Sequence, residues 1–288
     1  MDYLLAIGGN AVSDDRVPEG LCRQIVELHR KGIGLVITHG NGPQVGELSM
    51  KFKGRSLAAL TAETETALGM AIEEGIQDAA ESMRIRSPRT VIVPTRVVVD
   101  RKSAEFRRPT KPIGSFVDAK EAMSLRKRGF AVKRLANGYR RVVPSPKPEK
   151  VVDIDVIRRF LHMGYIVIAG GGGGIAVDDE LRYVDAVIDK DRTSAMIAEV
   201  MGAKRLYMLT NVDGAYLGFG RKNQKLITAI KAEAIRRHVK SFEEGSMRPK
   251  VEAAVEFVKG RKGRIAVIGN LRKADAVMAL KGCTVIRS

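Results

Sequence analysis

Five short apolar runs in this chain each stop at a polar turn, and every one of those turns carries glycine. Leu4–Ile7 leads into Gly8-Gly9-Asn10, and Leu35–Thr38 into His39-Gly40-Asn41-Gly42. Tyr165–Ala169 leads into an uninterrupted glycine run, Gly170–Gly174. Leu206–Thr210 leads into Asn211-Val-Asp213-Gly214, and Ile265–Ile268 into Gly269-Asn270. In an open parallel sheet, ligands sit in the crevice at the carboxyl ends of the strands. Residues without a Cβ leave backbone amides bare, so a small anion can approach the main chain itself. Five such turns on one edge describe a site for something heavily anionic.

The spacing of these runs predicts the fold class. Apolar strands are expected at 3–7, 34–38, 90–99, 165–169, 204–210, 264–268 and 284–287. Between them lie helix-like stretches near 18–31, 43–52, 57–83, 153–163, 191–201, 230–239, 249–260 and 273–281. Alternation of this kind argues for an α/β fold with a mostly parallel sheet and helices on both faces. The exception is 100–148, where Pro109, Pro112, Pro144, Pro146 and Pro148 bracket basic and aromatic residues. Prolines at both ends predict a small excursion that leaves the main body and returns.

Charge is concentrated in that excursion. The chain of 288 residues carries a formal net charge of +17, and fifteen Lys or Arg against five Asp or Glu fall between Asp100 and Lys150. A solvated surface, a lid that captures polyanionic substrates and nucleic-acid contact are all open explanations. No apolar run reaches the roughly 18 residues of a membrane span, and no basic leader precedes the first strand. Cys22 and Cys283 are isolated and offer neither a disulfide framework nor metal-ligand spacing. The cytoplasm is the expected compartment, and the length suits one large α/β domain or two lobes.

Several common catalytic signatures are missing: the P-loop G-x-x-x-x-G-K-[ST], H-E-x-x-H, C-x-x-C, the protein-kinase set and the G-x-S-x-G elbow. What remains is glycine turns plus lysines in unusual places. Lys250 follows Pro249 at the start of an apolar-periodic helix, where a cation opposes the helix dipole unless an anion binds there. Lys190 lies in Asp189-Lys190-Asp191 directly before a helix; solvated capping and an ammonium aimed into a site are both open. Lys111 is held between Pro109 and Pro112 in a restricted loop, which suits a structural role when taken alone. His39 suits a turn-stabilising role better than an acid/base one.

Taken together the motifs resemble carbamate kinase, a branch of the amino acid kinase family. The resemblance is carried by Gly8-Gly9-Asn10-Ala11, His39-Gly-Asn-Gly-Pro-Gln-Val-Gly46, Pro109-Thr-Lys-Pro-Ile-Gly114 and Arg140-Arg-Val-Val-Pro-Ser-Pro-Lys-Pro148. It continues through Ala169-Gly-Gly-Gly-Gly-Gly-Ile175, Val187-Ile-Asp-Lys-Asp191, Thr210-Asn-Val-Asp-Gly-Ala-Tyr216 and Gly245-Ser-Met-Arg-Pro-Lys-Val-Glu-Ala-Ala254. These occur in the family's order from end to end.

The resemblance implies a three-layer αβα sandwich with a mainly parallel central sheet of about eight strands and a protruding lid at about 100–148. It implies an acceptor-binding lobe over 1–203 and a nucleotide-binding lobe over 204–288. Gly8, Gly9, Asn10, Gly40, Asn41, Gly42, Gly172 and Gly173 would hold carbamate and the transferred phosphoryl group. Lys111 would reach in from the lid, Lys190 would stabilise the phosphoryl group in flight, and Asp191 would orient it. Asn211, Asp213, Tyr216, Met247 and Lys250 would line the nucleotide site. The implied substrates are carbamoyl phosphate, carbamate and ATP or ADP, with Mg²⁺ carried by the nucleotide. No metal site of the protein's own is expected, and neither is a membrane partner.

Three departures from the family's pattern stand out. Arg248 replaces a usual glycine, Ser13–Gly20 is shorter than the usual loop, and 47–80, the usual homodimer contact, follows the pattern only loosely. A sister kinase with another carboxylate or phosphate acceptor, and a non-catalytic nucleotide- or RNA-binding relative, are the rival readings.

Overall fold

The computed structural model describes residues 1–9, 17–52, 54–135, 137–243 and 245–288. The first stretch runs β1 (Tyr3–Ile7), α1 (Glu19–Arg30), β2 (Leu35–His39), α2 (Gly42–Lys51), α3 (Leu57–Ser82), β3 (Thr90–Val93) and β4 (Arg96–Val99). The excursion holds β5 (Lys111–Val117), α4 (Ala119–Lys127), β6 (Val132–Leu135) and β7 (Gly138–Val143). The chain returns through β8 (Pro148–Val151), α5 (Ile154–His162), β9 (Ile166–Ala169), β10 (Ile175–Val177), α6 (Lys190–Val200) and β11 (Arg205–Thr210). It closes with β12 (Tyr216–Leu217), β13 (Lys225–Leu226), β14 (Ala229–Lys231), α7 (Ala232–Arg236), α8 (Met247–Val258), β15 (Ile265–Asn270), α9 (Ala274–Met278) and β16 (Thr284–Arg287).

Eight strands form one sheet in the order β14-β16-β15-β11-β1-β2-β9-β3. Its pairings are parallel except for β15 with β16. The sheet is apolar on both faces because strand residues alternate sides. Leu4 and Ala6 of β1 join Ile157, Ile197, Val251 and Phe257 of α5, α6 and α8 in one buried cluster. Leu5 and Ile7 join Leu21, Ile25, Leu68, Ile72 and Val277 of α1, α3 and α9 in another. Each fully buried Leu or Ile contributes roughly 1.5–3 kcal/mol relative to exposure. The three layers of the αβα sandwich follow directly from that alternation.

The strand expected at 90–99 is two strands. Pro94 has no N–H to donate to a ladder. The chain turns there, so β3 pairs with β9 in the main sheet while β4 joins a small sheet with β8 and β10. The expected helix over 230–239 shortens to α7, preceded by the edge strand β14. In the excursion, β5, β7 and β6 make a three-stranded antiparallel sheet.

A third apolar cluster seats the excursion on the body: Ile113 and Val143 pack with Val45, Leu57, Leu60 and Val187. The contact is tight. A Cβ added to Gly46 of α2 would lie 1.8 Å from the Gly114 nitrogen of β5. Only glycine at 46 lets the two backbones approach that closely, and the approach sets where Lys111, three residues before Gly114, emerges.

Candidate active site

The parallel core strands β11, β1, β2 and β9 all end on one edge, and the chain departs in opposite directions on either side of β1. A crevice belongs at such a reversal, and one is present. A cleft of about 280 Å³ is lined there by Gly8 and Gly9 after β1, by Gly40, Asn41 and Gly42 after β2, and by Gly172 after β9. Thr210 and Asn211 after β11, Lys190 and Asp191 of α6, Gly245, Ser246 and Lys250 at α8, and Lys111 and Arg140 of the excursion complete the wall. The N-terminal ends of α2, α6 and α8 all reach this cleft, so three sets of first-turn amides add partial positive charge.

The charged groups form a chain of contacts. Lys111 Nζ pairs with Asp189. Asp189 caps α6, its Oδ1 accepting from the Asp191 N–H at 3.0 Å and the Arg192 N–H at 3.4 Å. Lys190 Nζ donates to Asp191 Oδ1 at 2.6 Å, and Lys250 Nζ to Asp191 Oδ2 at 2.8 Å. One carboxylate therefore holds two ammonium groups, one from the adjacent residue and one from 59 residues along the chain. Burial disfavours ionisation of Asp191, but Lys190 and Lys250 outweigh it and hold the carboxyl far below its ordinary range. For Asp189, burial is likewise overcome by Lys111. Burial, with Lys250 nearby, lowers Lys190, while at Lys250 the Asp191 carboxylate more than offsets burial and raises it. Lys111, Arg140, Lys190 and Lys250 stand against Asp189 and Asp191, so the described lining carries a formal excess of positive charge.

Such an arrangement can grip a multiply charged anion and stabilise charge that shifts between its oxygens. The glycine turns contribute close approach. Gly172 has φ +66°, and a Cβ there would lie 2.2 Å from the Asn41 side-chain amide. Any L-residue at 172 would be strained and would collide with the opposite wall.

Most of the residues expected to bind substrate meet in this cleft: Gly8, Gly9, Gly40, Asn41, Gly42, Gly172, Lys111, Lys190, Asp191, Asn211 and Lys250. Gly173, Asp213, Tyr216 and Met247 are not part of its wall. The Gly173 N–H turns inward to Gly170 O at 3.1 Å, because the run folds back on itself through left-handed glycines. Asp213 accepts from Asn270 Nδ2 at 3.1 Å and pairs with Lys273 at 3.0 Å beyond the end of β11. Tyr216 lies on the short β12–β13 hairpin, 5.8 Å from the Phe219 ring, and Met247 packs on the sheet-face core. Asn10, and Ser13 to Arg16 of the shortened loop, lie outside the described residues. Arg248 lines a neighbouring crevice with Lys133 and Arg192, and its Nη2 donates to Lys240 O at 3.0 Å.

A sequence profile of the amino acid kinase family matches residues 3–269. The chain belongs to the amino acid kinase family. Within this family it is 38% identical over 307 residues to the carbamate kinase of Pyrococcus horikoshii, covering 98% of this chain and 96% of that one. It is 37% identical to the carbamate kinase-like protein YqeA of Escherichia coli K12, with 98% of both chains covered. The solved structure of Giardia lamblia carbamate kinase bound to AMP-PNP superposes with a TM-score of 0.84 at 30% identity, over 99% of this chain and 98% of that one.

Sequence reasoning missed two charged members of the wall. Asp189 was legible as a helix N-cap, since it directly precedes α6, but nothing local shows that its second oxygen pairs with Lys111. Arg140 is half-buried, its guanidinium 5.4 Å from the Phe116 ring and its Nε buried without a partner among the described residues. Its burial lowers its pKa. Only the fold of the excursion brings it to the cleft.

Proposed function

We propose that this chain is a carbamate kinase, moving a phosphoryl group reversibly between carbamoyl phosphate and ADP to give carbamate and ATP. The observation that carries the reading is the convergence of Lys111, Lys190 and Lys250, from the excursion, α6 and α8, on one glycine-lined cleft. In the direction of ATP formation, a terminal oxygen of ADP bonds to phosphorus while the bond from phosphorus to the carbamate oxygen breaks. Carbamate leaves as an oxyanion with the bonding pair, so no proton need move. That agrees with a wall whose described members include no histidine.

Catalysis then reduces to alignment and charge stabilisation. Lys190 would follow the phosphoryl oxygens, with Asp191, which accepts from its Nζ, orienting the ammonium. Lys250 would share the nucleotide's phosphates, and Lys111 the acceptor end. Gly8, Gly9, Gly40, Asn41, Gly42 and Gly172 would hold the carbamoyl phosphate side, over 1–203. Asn211, Asp213, Tyr216 and Met247 would lie along the nucleotide, over 204–288, with the excursion over the acceptor as a lid. Asp189 and Asp191 are both committed to lysines, and the described residues offer no cluster of metal ligands. On this reading magnesium would enter as part of the nucleotide substrate. Residues 47–80 would form a homodimer contact, and the cytoplasm is the compartment that suits these substrates.

A panel of acyl phosphates tests the acceptor. Carbamoyl phosphate should support ATP formation from MgADP well above acetyl phosphate and the phosphates of amino-acid side chains. A better rate with any other member would assign the chain to a sister activity.

A further inference from the structure

Glu65 of α3 is 1% exposed, and none of the reacting groups needs it. Its carboxyl reaches the glycine run from beneath. Oε1 accepts the Gly171 N–H at 2.8 Å and Oε2 accepts the Thr95 N–H at 3.3 Å. Thr95 Oγ1 in turn accepts the Gly170 N–H at 2.8 Å. The later amides of the run close on the run itself, Gly173 N–H to Gly170 O at 3.1 Å and Gly174 N–H to Gly171 O at 3.0 Å. Four of the five amides are thus occupied. The Gly172 N–H meets no acceptor among the described residues, and Gly172 is the member of the run that lines the cleft.

The neighbouring residue on α3 holds the opposite wall. Thr64 Oγ1 accepts from Asn41 Nδ2 at 2.8 Å, and that Asn41 amide abuts the Gly172 α-carbon. Consecutive residues of one helix therefore fix both sides of the gap into which Gly172 faces. A buried carboxyl is costly unless its hydrogen bonds are made. Burial pushes Glu65 up to about 8 even with two main-chain donors on it. An apolar residue at 65 would avoid that cost but would leave two buried N–H groups without acceptors.

We propose that Glu65 is a positioning residue of the transfer site: with Thr95 it takes up the first two amides of the glycine run, so that the Gly172 N–H alone is presented to the phosphoryl group. The proposal rests on the phosphoryl-transfer reading of the cleft. It assigns the aim of the Gly172 donor to α3, which packs on the sheet face opposite α6 and α8.

Glu65→Gln tests it with little change in volume. Whichever way the amide is turned, an NH₂ donor faces a main-chain N–H, so one anchor is lost. The expected result is a kcat lower by about tenfold or more with KM for ADP within about twofold, assayed well below the variant's melting temperature. Thr95→Val should show the same split, and Thr95→Ser, which keeps the Oγ acceptor, should restore turnover. In protein labelled with ¹⁵N-glycine, inorganic phosphate should shift the Gly172 amide resonance in the wild type and shift it far less in Glu65→Gln. Wild-type kcat and an undiminished phosphate response in Glu65→Gln would overturn the proposal. So would a lower melting temperature with normal turnover per folded molecule. If Glu65→Gln does not fold, the Thr95→Val and Thr95→Ser pair decides by the same two readouts. A wild type that shows the Gly172 shift but no turnover of carbamoyl phosphate would remove the carbamate reading and leave the positioning role standing.

Discussion

Lys111 and Asp189, 78 residues apart in the chain, form an ion pair on the wall of the cleft. The same carboxylate caps the helix whose first residue is Lys190. On the proposed reading, substrate would compete with Asp189 for the Lys111 ammonium. Asn at 189 keeps a capping oxygen and removes the competing charge. Asp189→Asn is expected to lower KM for carbamoyl phosphate several-fold with the melting temperature little changed. A higher KM would show that Asp189 helps to bind substrate by orienting Lys111.

Lys190→Met keeps the aliphatic stem, whose Cδ lies 3.3 Å from where a Cβ on Gly40 would sit, and removes the ammonium. Asp191 retains Lys250 as a partner, so the fold should persist. Loss of one preorganised charge of this kind lowers kcat by roughly 100-fold or more. Nucleotide affinity, measured by calorimetry with ADP, should change little. Comparable losses in both would place Lys190 in ground-state binding instead.

Gly46→Ala addresses the seating of the excursion. The added methyl cannot coexist with Gly114 at its present distance, so β5 must move outward and carry Lys111 with it. Steady-state kinetics should show KM for carbamoyl phosphate rising towards that of Lys111→Ala, with KM for ADP unaffected. An unchanged KM would mean that the excursion sets the position of Lys111 from somewhere other than this contact.

Glu65 predicts a pH signature in stability. Its folded-state pKa, raised by burial to about 8, lies above the ordinary 4.5, so the folded chain holds a proton that the unfolded chain has lost. That contribution is fully present below the ordinary value and disappears as pH rises through about 8. The groups facing it are His39 of β2, Asp153 ahead of α5, and Lys190 beyond His39. Burial lowers His39 to about 4, so its effect runs the other way and ends at its ordinary 6.5. Between those two limits wild-type stability should fall relative to Glu65→Gln by up to about 1.4 kcal/mol per pH unit. Urea unfolding of both proteins across that window checks it; parallel trends would contradict it.

Seven of the eight strands of the sheet were legible because each is an apolar run, and each cleft-facing turn interrupts that run with glycine; the edge strand β14, three residues ending in Lys231, was read as part of a helix. Leu4–Ile7 and Ile265–Ile268 needed no tertiary information. The break at Pro94 was legible in principle but was outweighed by the β-branched residues on both sides of it. The amide inventory of Gly170–Gly174 was not legible. Five glycines suggest five bare amides, and only the fold shows that Glu65, Thr95 and the run's own carbonyls occupy four of them. Glu65 itself falls in an ordinary helical pattern, and Arg140 in a basic stretch, so neither sequence position betrays a long-range contact.

On the proposed reading three converging lysines support phosphoryl transfer from carbamoyl phosphate to ADP. That is tested most directly by coupled-assay ATP formation from carbamoyl phosphate and MgADP, with wild type and Lys190→Met side by side. Rapid ATP formation by the wild type that falls by orders of magnitude in Lys190→Met is the predicted result. No ATP above the uncatalysed rate from well-folded wild type, or equal rates from the two proteins, would contradict it.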